Sequence, residues 1–225
     1  MDSSPHILST FEAALNKLQG DVRSMANRTR QSFEHAALCL ASADAHLCDS
    51  VIASDAAIDE LEKEVARDSI DVLMRFQPVA TDLRAVLSGL RTSIDLERVA
   101  DLSVGIVKKV RSLTGPIPEP VVAKLTAMKL EAAALLDDSI RSYFQRNEAI
   151  ALSLSFRDKR LDELNREAME VITQHLMRSP ERAHDCVSLI LVARHLERVG
   201  DHAKNIGENT VYLVSDRDIR HLHGA

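Results

Sequence analysis

The chain contains two copies of one segment, and this duplication limits the folds that it can adopt. Residues 55–61, with the sequence DAAIDEL, match residues 158–164, DKRLDEL, at an offset of 103 residues. Residues 95–101, DLERVAD, match residues 195–201, HLERVGD, at an offset of 100 residues. A self-similarity of this length indicates one supersecondary unit that occurs twice. We therefore expect two equivalent units in tandem.

Each copy has the hydrophobic pattern of long helices. Apolar residues recur at spacings of three and four, which is typical of an amphipathic helix. Aromatic residues make up 3% of the chain and Trp is absent, so the core depends on aliphatic side chains that suit helix packing. Only seven Gly and six Pro interrupt the chain, which predicts few and long elements. The predicted helices cover about 11–40, 45–76, 79–113, 120–146, 148–178 and 181–214.

The breaks between these helices are marked by caps and prolines. Asp44, in the segment 42–44, and Asn147 stand at equivalent positions before a helix, and both are good N-cap residues. Residues 113–120, LTGPIPEP, contain three prolines and one glycine, which predicts a linker. The sequence thus predicts an all-α protein of two tandem three-helix bundles with six long helices, which cover 1–115 and 116–225.

Charge and composition exclude several classes of protein. The formal net charge is −6 and the pI is near 5.8, so nucleic acid and anionic lipid are not generally attracted. No stretch approaches the roughly 20 apolar residues of a membrane span, and the N-terminal residues lack a signal-peptide pattern. We expect a cytoplasmic protein without membrane insertion. The cysteines Cys39, Cys48 and Cys186 form no CxxC motif, and we expect buried, reduced thiols.

One pair of carboxylates is repeated in both copies. Glu97 and Asp101, like Glu197 and Asp201, are four residues apart, so each pair lies on one face of a helix about one turn apart. Like charges at this spacing repel each other by a few tenths of a kcal/mol. A hard cation bound by oxygen ligands would offset the repulsion. These four residues are therefore candidate metal ligands.

The second copy offers further oxygen ligands. On a helical projection, Asn205 and Glu208 lie on the same side as Glu197, within about 80°. The first copy has Gly105 and Lys108 at the equivalent positions, so we expect the second site to bind metal more tightly. This acidic stripe lies opposite the aliphatic stripe, and we expect it to face outward or toward a second surface. A solvated charged face is the plain alternative.

The sequence offers little evidence for an enzyme. His195 and His202 fall on a flank of the predicted sixth helix, away from the carboxylates, and are expected to be surface or boundary residues. Glu181 and His184 have the Glu-x-x-His spacing of a di-iron bundle, but that site needs two such motifs and two further Glu. We find no phosphate-binding loop, dinucleotide fingerprint, nucleophile elbow or zinc-protease motif.

The repeated segments carry a resemblance to a known family. Residues 96–101, LERVAD, and 196–206, LERVGDHAKNI, resemble the paired signature of the PhoU family of phosphate-transport accessory regulators. Residues 78–84, PVATDLR, and 55–62, DAAIDELE, resemble its recurrent segments, and the resemblance spans nearly the whole chain. It implies two three-helix bundles and a frequent homodimer. The first copy departs from the signature at residues 100–103.

The resemblance also implies a metal site and a function. In each repeat a Glu/Asp-x-x-x-Asp motif is expected to hold multinuclear iron or zinc, or to bind magnesium or manganese. The motif positions here are Glu97, Asp101, Glu197 and Asp201. The family implies a cytoplasmic, non-enzymatic adaptor that contacts the ATPase subunit of the phosphate ABC transporter and the phosphate-sensing histidine kinase. When phosphate is plentiful, this adaptor restrains the phosphate-starvation response.

The repeated carboxylates are also compatible with other functions. The chain could be an accessory protein of a low-affinity phosphate permease, which has similar helical carboxylate repeats. It could be a metal-dependent phosphatase or a carboxylate-bridged oxidase that uses the same residues. A metal-free helical scaffold is a further alternative, and the acidic helix surface could equally dock a basic protein partner.

Overall fold

The computed structural model describes residues 4–42 and 44–219, and in these ranges it contains six long α-helices and no strand. The helices are α1 (Ser4–Ser42), α2 (Ala45–Phe76), α3 (Ala80–Arg111), α4 (Glu119–Gln145), α5 (Glu148–Arg178) and α6 (Ala183–Ser215), with a short 3₁₀ turn at Pro180–Arg182. Helices α1, α2 and α3 pack against one another, and so do α4, α5 and α6. The predicted fold of two three-helix bundles is confirmed.

The predicted division of the chain at 115/116 falls between α3 and α4. The outermost residues of the predicted units 1–115 and 116–225 lie outside the described residues, as does Ala43 of the predicted cap segment. Among the helices that are described, none combines the length and the apolar character needed to cross a membrane.

Side-chain caps begin the middle helix of each bundle. Asp44 Oδ1 accepts hydrogen bonds from the backbone N–H groups of His46, at 2.8 Å, and Leu47, at 3.2 Å. Asn147 Oδ1 accepts one from the N–H of Ile150 at 3.1 Å. Each bond satisfies an amide that has no partner inside the helix, and such a cap contributes about 1 kcal/mol. Both predicted caps are confirmed.

Equivalent residues occupy equivalent places in the two cores. Met25 and Met128 are fully buried, and so are Ile58 and Leu161. The largest continuous group of buried side chains draws on all six helices, so the two bundles share part of one core. Burying one such side chain stabilises the fold by about 1.5–3 kcal/mol, and this shared burial holds the bundles together.

Helices α3 and α6 form the seam between the bundles and run antiparallel. Near the start of α3, Ser88 Oγ donates to the backbone oxygen of Asn209, near the end of α6, at 3.4 Å. Just after the end of α3, Ser112 Oγ lies 3.2 Å from Oγ of Ser188, near the start of α6. Equivalent residues of the two copies differ by 100 in these helices, and the two contacts place residues near 100 opposite residues near 200. The local pseudo-twofold axis therefore passes close to residues 100 and 200.

A buried carboxylate links the two helices of the seam. Asp95 of α3 is only 9% exposed. It accepts hydrogen bonds from three side chains of α6: His202 Nδ1 at 2.9 Å, Asn205 Nδ2 at 3.1 Å and Asn209 Nδ2 at 3.3 Å. A buried carboxylate is costly unless donors satisfy it, and here all of them come from the other bundle.

His195 and His202 of α6 are partly buried at this seam, as the prediction of boundary residues requires. The bond between His202 and Asp95 was not foreseen, because only the packing of α3 on α6 brings them together. His195 packs on Gly105 of α3, where its Nε2 lies 2.9 Å from the point that a Cβ would occupy. Burial, with a smaller effect from the nearby Arg198, lowers the pKa of His195 and favours its neutral form.

The linker between the bundles is fastened to the start of α6. Thr114 donates its N–H to Asp185 Oδ1 at 2.9 Å and its hydroxyl to Asp185 Oδ2 at 3.0 Å. Arg182 donates to Asp185 Oδ2 at 2.8 Å and to the backbone oxygen of Pro116 at 2.9 Å. Burial of Asp185 opposes its ionisation, but these hydrogen bonds outweigh it and lower the pKa of the carboxyl.

The cysteines correct one prediction. Cys39 and Cys48 form a disulfide, with their Cα atoms 5.9 Å apart, so the expectation of three reduced thiols is wrong for this pair. The turn between α1 and α2 brings the two residues together although they form no CxxC motif. Cys186 is a buried free thiol, as predicted.

Candidate functional site

The first carboxylate cluster lies between α2 and α3. It consists of Asp55, Asp59, Glu62, Glu97 and Asp101. Burial raises the pKa of Glu97, and the neighbouring charge of Asp101 raises it further, with smaller effects from Asp59 and Glu62. Burial and the charges of Asp59 and Asp101 likewise raise the pKa of Asp55. These carboxylates therefore repel one another in a partly desolvated place.

The second carboxylate cluster lies at the equivalent place between α5 and α6. It consists of Asp158, Asp162, Glu197 and Asp201. Burial raises the pKa of Glu197 and of Asp201, and the charge of Asp201 adds to the effect on Glu197. Burial, together with the charge of Asp158, raises the pKa of Asp162. Both copies thus gather like charges at the same place in the bundle.

The first cluster is paired with one basic side chain of its own helix. Arg98 lies 3.3 Å from Glu97 Oε2 and 3.2 Å from Asp101 Oδ2. Its side chain is 54% exposed, and an exposed ion pair contributes only about 0–1 kcal/mol.

The second cluster contacts two basic side chains. Arg194 Nη1 lies 2.8 Å from Glu197 Oε1, and Lys204 Nζ lies 3.1 Å from Asp158 Oδ2. The acidic partner of Lys204 is less exposed than that of Arg194, since the Asp158 side chain is 7% exposed and the Glu197 side chain is 11% exposed. The two clusters therefore differ in the cations that accompany them.

The donor chemistry of the clusters fits a hard cation. Asp55 Oδ1 and Glu197 Oε2 are buried and have no hydrogen-bond partner within the described ranges. A buried oxygen without a partner is costly, and oxygen is the ligand that Mg²⁺ and Mn²⁺ prefer. The arrangement is not that of a closed site. Among residues 4–42 and 44–219, no three His, Cys, Asp or Glu side chains converge closely enough to hold a metal ion.

The structure places four of the six predicted ligands in the two clusters. Glu97 and Asp101 belong to the first, and Glu197 and Asp201 belong to the second. The expectation that this face is presented outward or toward a second surface, and is not buried in the bundle, is wrong for Glu197, which is only 9% exposed.

The structure shows a partner for each of the other two predicted ligands. The side-chain Nδ2 of Asn205 donates to Asp95 at the seam. The charge of Glu208 acts on Lys204 and is among those that favour the protonated lysine. A helical projection gives the angles of side chains around one helix, but it does not say which neighbour stands at each angle.

The carboxylates of α2 and α5 were not predicted to be metal ligands. Asp55 and Asp59 complete the first cluster, and Asp158 and Asp162 complete the second. The signal was present, because these residues form the repeated segments 55–61 and 158–164 that established the duplication. In both copies the two Asp are four residues apart, like the Glu and Asp of the third helix.

A glycine allows α5 to approach α6 at the second cluster. A Cβ at Gly200 would lie 2.5 Å from Leu161 Cδ2 and 3.3 Å from Asp158 Oδ1. The first copy has Ala100 and Ile58 at the positions of Gly200 and Leu161. Leucine and isoleucine have the same volume, so the two copies differ at these positions by one methyl group and by where the larger side chain branches.

Comparisons with known proteins agree with this architecture. The family model described as "PhoU domain" matches twice, over residues 22–110 and 125–210. A phosphate-specific transport system accessory protein PhoU homolog from Xylella fastidiosa is 31% identical over 210 residues, which cover 93% of this chain and 89% of the relative. A homolog of the same description from Rhizobium meliloti is 29% identical and covers 95% of this chain and 90% of the relative.

Solved structures show the same fold. The crystal structure of PhoU from Pseudomonas aeruginosa matches with a TM-score of 0.89 at 26% identity, and covers 92% of this chain and 100% of that chain. The phosphate transport system regulatory protein PhoU from Streptococcus pneumoniae matches with a TM-score of 0.84 at 26% identity, over 92% of this chain and 98% of that chain. With two matched domains, near-complete coverage and the same helical architecture, this chain belongs to the PhoU family.

Proposed function

We propose that this protein is an accessory regulator of a phosphate transport system and acts in the cytoplasm as an adaptor, without catalytic activity. The observation that carries the proposal is the end-to-end match to relatives named phosphate-specific transport system accessory proteins. The match extends over both repeats and therefore includes both carboxylate clusters. An adaptor of this kind needs surfaces for partners rather than a reactive pocket.

The proposed partners are the ATPase subunit of the phosphate ABC transporter and the phosphate-sensing histidine kinase, and the protein is proposed to act as a homodimer. Through these contacts it restrains the phosphate-starvation response when phosphate is plentiful. Acidic side chains near the surface, such as Asp101 and Asp162, support this view because complementary charge speeds encounter with basic surfaces and sets specificity.

We further propose that the carboxylate clusters bind metal ions. Glu97 and Asp101, with Asp55, would hold an ion at the first cluster, and Glu197 and Asp201 would do so at the second. Iron, zinc, manganese and magnesium are the candidates, and an all-oxygen donor set favours manganese or magnesium over zinc. A bound cation would neutralise the repelling charges and tie neighbouring helices together.

A genetic test addresses the regulatory role. In the source organism, deletion of the gene is expected to switch on a phosphate-starvation reporter in phosphate-rich medium, and the wild-type gene is expected to restore repression. The variant Glu97→Gln/Asp101→Asn should restore it poorly. The control Glu60→Gln changes an exposed carboxylate that pairs with Lys63 and Arg67, and it should restore it fully. Normal repression in the deletion strain would contradict the regulatory role.

Two biochemical measurements complete the test. The protein should co-purify with the transporter ATPase and the histidine kinase of the same organism, and a permease-accessory role would instead show association with a low-affinity permease. Elemental analysis of protein purified without chelator should find metal that is lost when both clusters are changed, in the variant Glu97→Gln/Asp101→Asn/Glu197→Ala/Asp201→Ala. Metal retained by that variant would place the ligands elsewhere in the chain.

A further inference from the structure

One lysine lies inside the second carboxylate cluster. Lys204 Nζ is 3.1 Å from Asp158 Oδ2, and the lysine and aspartate side chains are 30% and 7% exposed. The charges of Asp201 and Glu208 act on the same ammonium group. An ammonium that is paired with a buried carboxylate, and whose charge two further carboxylates favour, occupies the kind of position that an external cation would take. The second cluster therefore contains a cation that belongs to the chain.

The first cluster has no lysine at this place. Position 104, equivalent to position 204, is Val104, which is 5% exposed. The basic groups near the first cluster are Arg98, whose side chain is 54% exposed and contacts carboxylates of its own helix, and the exposed Lys108, whose charge acts on Asp55. Exposed pairs of this kind are weak and are screened by salt, whereas a pair with a buried aspartate is screened much less. The two clusters thus differ in how firmly a cation is already held.

We propose that Lys204 is the resident cation of the second cluster, and that a divalent ion enters this cluster only by displacing the ammonium from Asp158. Within the described residues the first cluster has no ammonium in contact with a carboxylate, only the exposed Arg98 and the more distant Lys108, so it takes the divalent ion more readily. This reverses the order of affinity expected from Asn205 and Glu208. The inference rests on the metal binding proposed above, and it adds that the two repeats are unequal sites.

The surroundings of Lys204 leave space for this exchange. An open groove of about 410 Å³ lies beside the second cluster. Its lining residues are Leu152, Ser155, Phe156, Asp158, Lys159, Asp162 and Lys204. A flexible lysine can turn its ammonium into this groove and keep it hydrated, because the side chain has four rotatable bonds, so the main cost of the exchange is the lost ion pair with Asp158.

The test isolates the second cluster with Glu97→Gln/Asp101→Asn as the parent chain, since this change disables the first. Mn²⁺ binding to metal-free protein is measured by isothermal titration calorimetry for the parent and for Lys204→Met and Lys159→Met in that background. Both substitutions remove one positive charge from the same groove. Only Lys204 contacts a carboxylate, so Lys159→Met is the matched control.

The expected result is Mn²⁺ affinity at least ~10-fold tighter in Lys204→Met, with Lys159→Met within about twofold of the parent. Without metal, Lys204→Met should also unfold at a lower temperature than Lys159→Met, because Asp158 loses its partner. If Lys204→Met does not fold, Lys204→Gln keeps a hydrogen-bond donor for Asp158 while it removes the charge. Equal changes in the two methionine variants, or no change, would overturn the inference.

Titration of the unaltered chain separates this inference from the proposed metal function. Mn²⁺ bound by the unaltered chain and lost in the parent variant, with no gain in Lys204→Met, overturns only the role of Lys204. Mn²⁺ bound by Lys204→Met but not by the unaltered chain supports the resident lysine and contradicts metal binding at the first cluster. Absence of Mn²⁺ from every variant overturns both.

Discussion

Replacing Asp95 by alanine removes the buried carboxylate that joins α3 to α6, and its cost can be worked from the structure. The carboxylate is 9% exposed and accepts from His202, Asn205 and Asn209. A hydrogen bond to a charged group contributes about 1.5–3 kcal/mol, but bonds that share one acceptor do not add. Removing one member of a buried charged network costs about 3–5 kcal/mol.

Alanine has a higher helix propensity than aspartate, which offsets the loss by about 0.5 kcal/mol. We therefore expect Asp95→Ala to lower the free energy of unfolding by about 3–4 kcal/mol. Equilibrium unfolding in urea, followed by the far-ultraviolet circular dichroism of the helices, measures the change. Asp95→Asn keeps one acceptor and the shape of the side chain, so its loss should be smaller.

The control is Asp71→Ala on α2. Asp71 is 49% exposed and forms a 3.0 Å ion pair with Arg75, which is itself 58% exposed. Pairs of this kind contribute about 0–1 kcal/mol. A loss in Asp95→Ala that is no larger than the loss in Asp71→Ala would refute the assignment of Asp95 as the main polar link between the bundles.

Three further predictions concern single contacts. The pKa of Glu197 is raised in the fold, so its contribution to stability is present below the ordinary pKa of about 4.3 and is lost as pH rises through the folded value. The free energy of unfolding of Glu197→Gln, relative to that of the wild type, should therefore rise as the pH is raised from acidic to neutral. Parallel stability profiles of the two proteins would contradict this. Gly200→Ala should destabilise by about 1–3 kcal/mol, because its Cβ meets Leu161 at 2.5 Å, and a rise in melting temperature would count against the contact. Reduction of the Cys39–Cys48 disulfide, which closes a separation of 9 residues, should lower the unfolding free energy by about 2–3 kcal/mol, and dithiothreitol without effect would contradict it.

The sequence predicts the fold well because helix formation is read from local pattern. Spacings of three and four, side-chain caps at Asp44 and Asn147, and the proline linker at 113–120 each act within a few residues. The internal repeat further predicts that the second half of the chain has the same helix arrangement as the first. These signals place all six helices near their observed bounds.

The site is predicted only in part, because it depends on contacts between helices. Glu97 and Glu197 were found because each has a carboxylate four residues further along its own helix. The partners on α2 and α5 face them only after the bundle has packed. The bond from Asn205 to Asp95 was not predicted, because the two residues lie far apart in sequence. The disulfide was missed for the same reason, since its closeness arises in the turn between two helices.

The unequal hydrogen bonding along the seam has a consequence for how a duplicated chain recognises itself. In a protein with two similar repeats, α3 of one molecule could pair with α3 of another instead of with its own α6. In such a pairing Asp95 would meet Leu102, Gly105 and Lys109. These residues are equivalent to His202, Asn205 and Asn209 at the offset of 100 residues. Leu102 and Gly105 have no side-chain donor, so Lys109 alone would satisfy the buried carboxylate, where the correct pairing supplies donors from three side chains.

The correct pairing is therefore favoured by one residue that has no counterpart in the other repeat, since the position equivalent to Asp95 is His195. The linker adds to this preference, because Thr114 and Pro116 are bound to the start of α6 in the same chain. Pairing of α3 with α3 between molecules would have to give up both sets of bonds. Divergence of the two copies at the seam thus disfavours association through like repeats, whereas a domain swap that pairs α3 with the α6 of another molecule would re-form the bonds of Asp95.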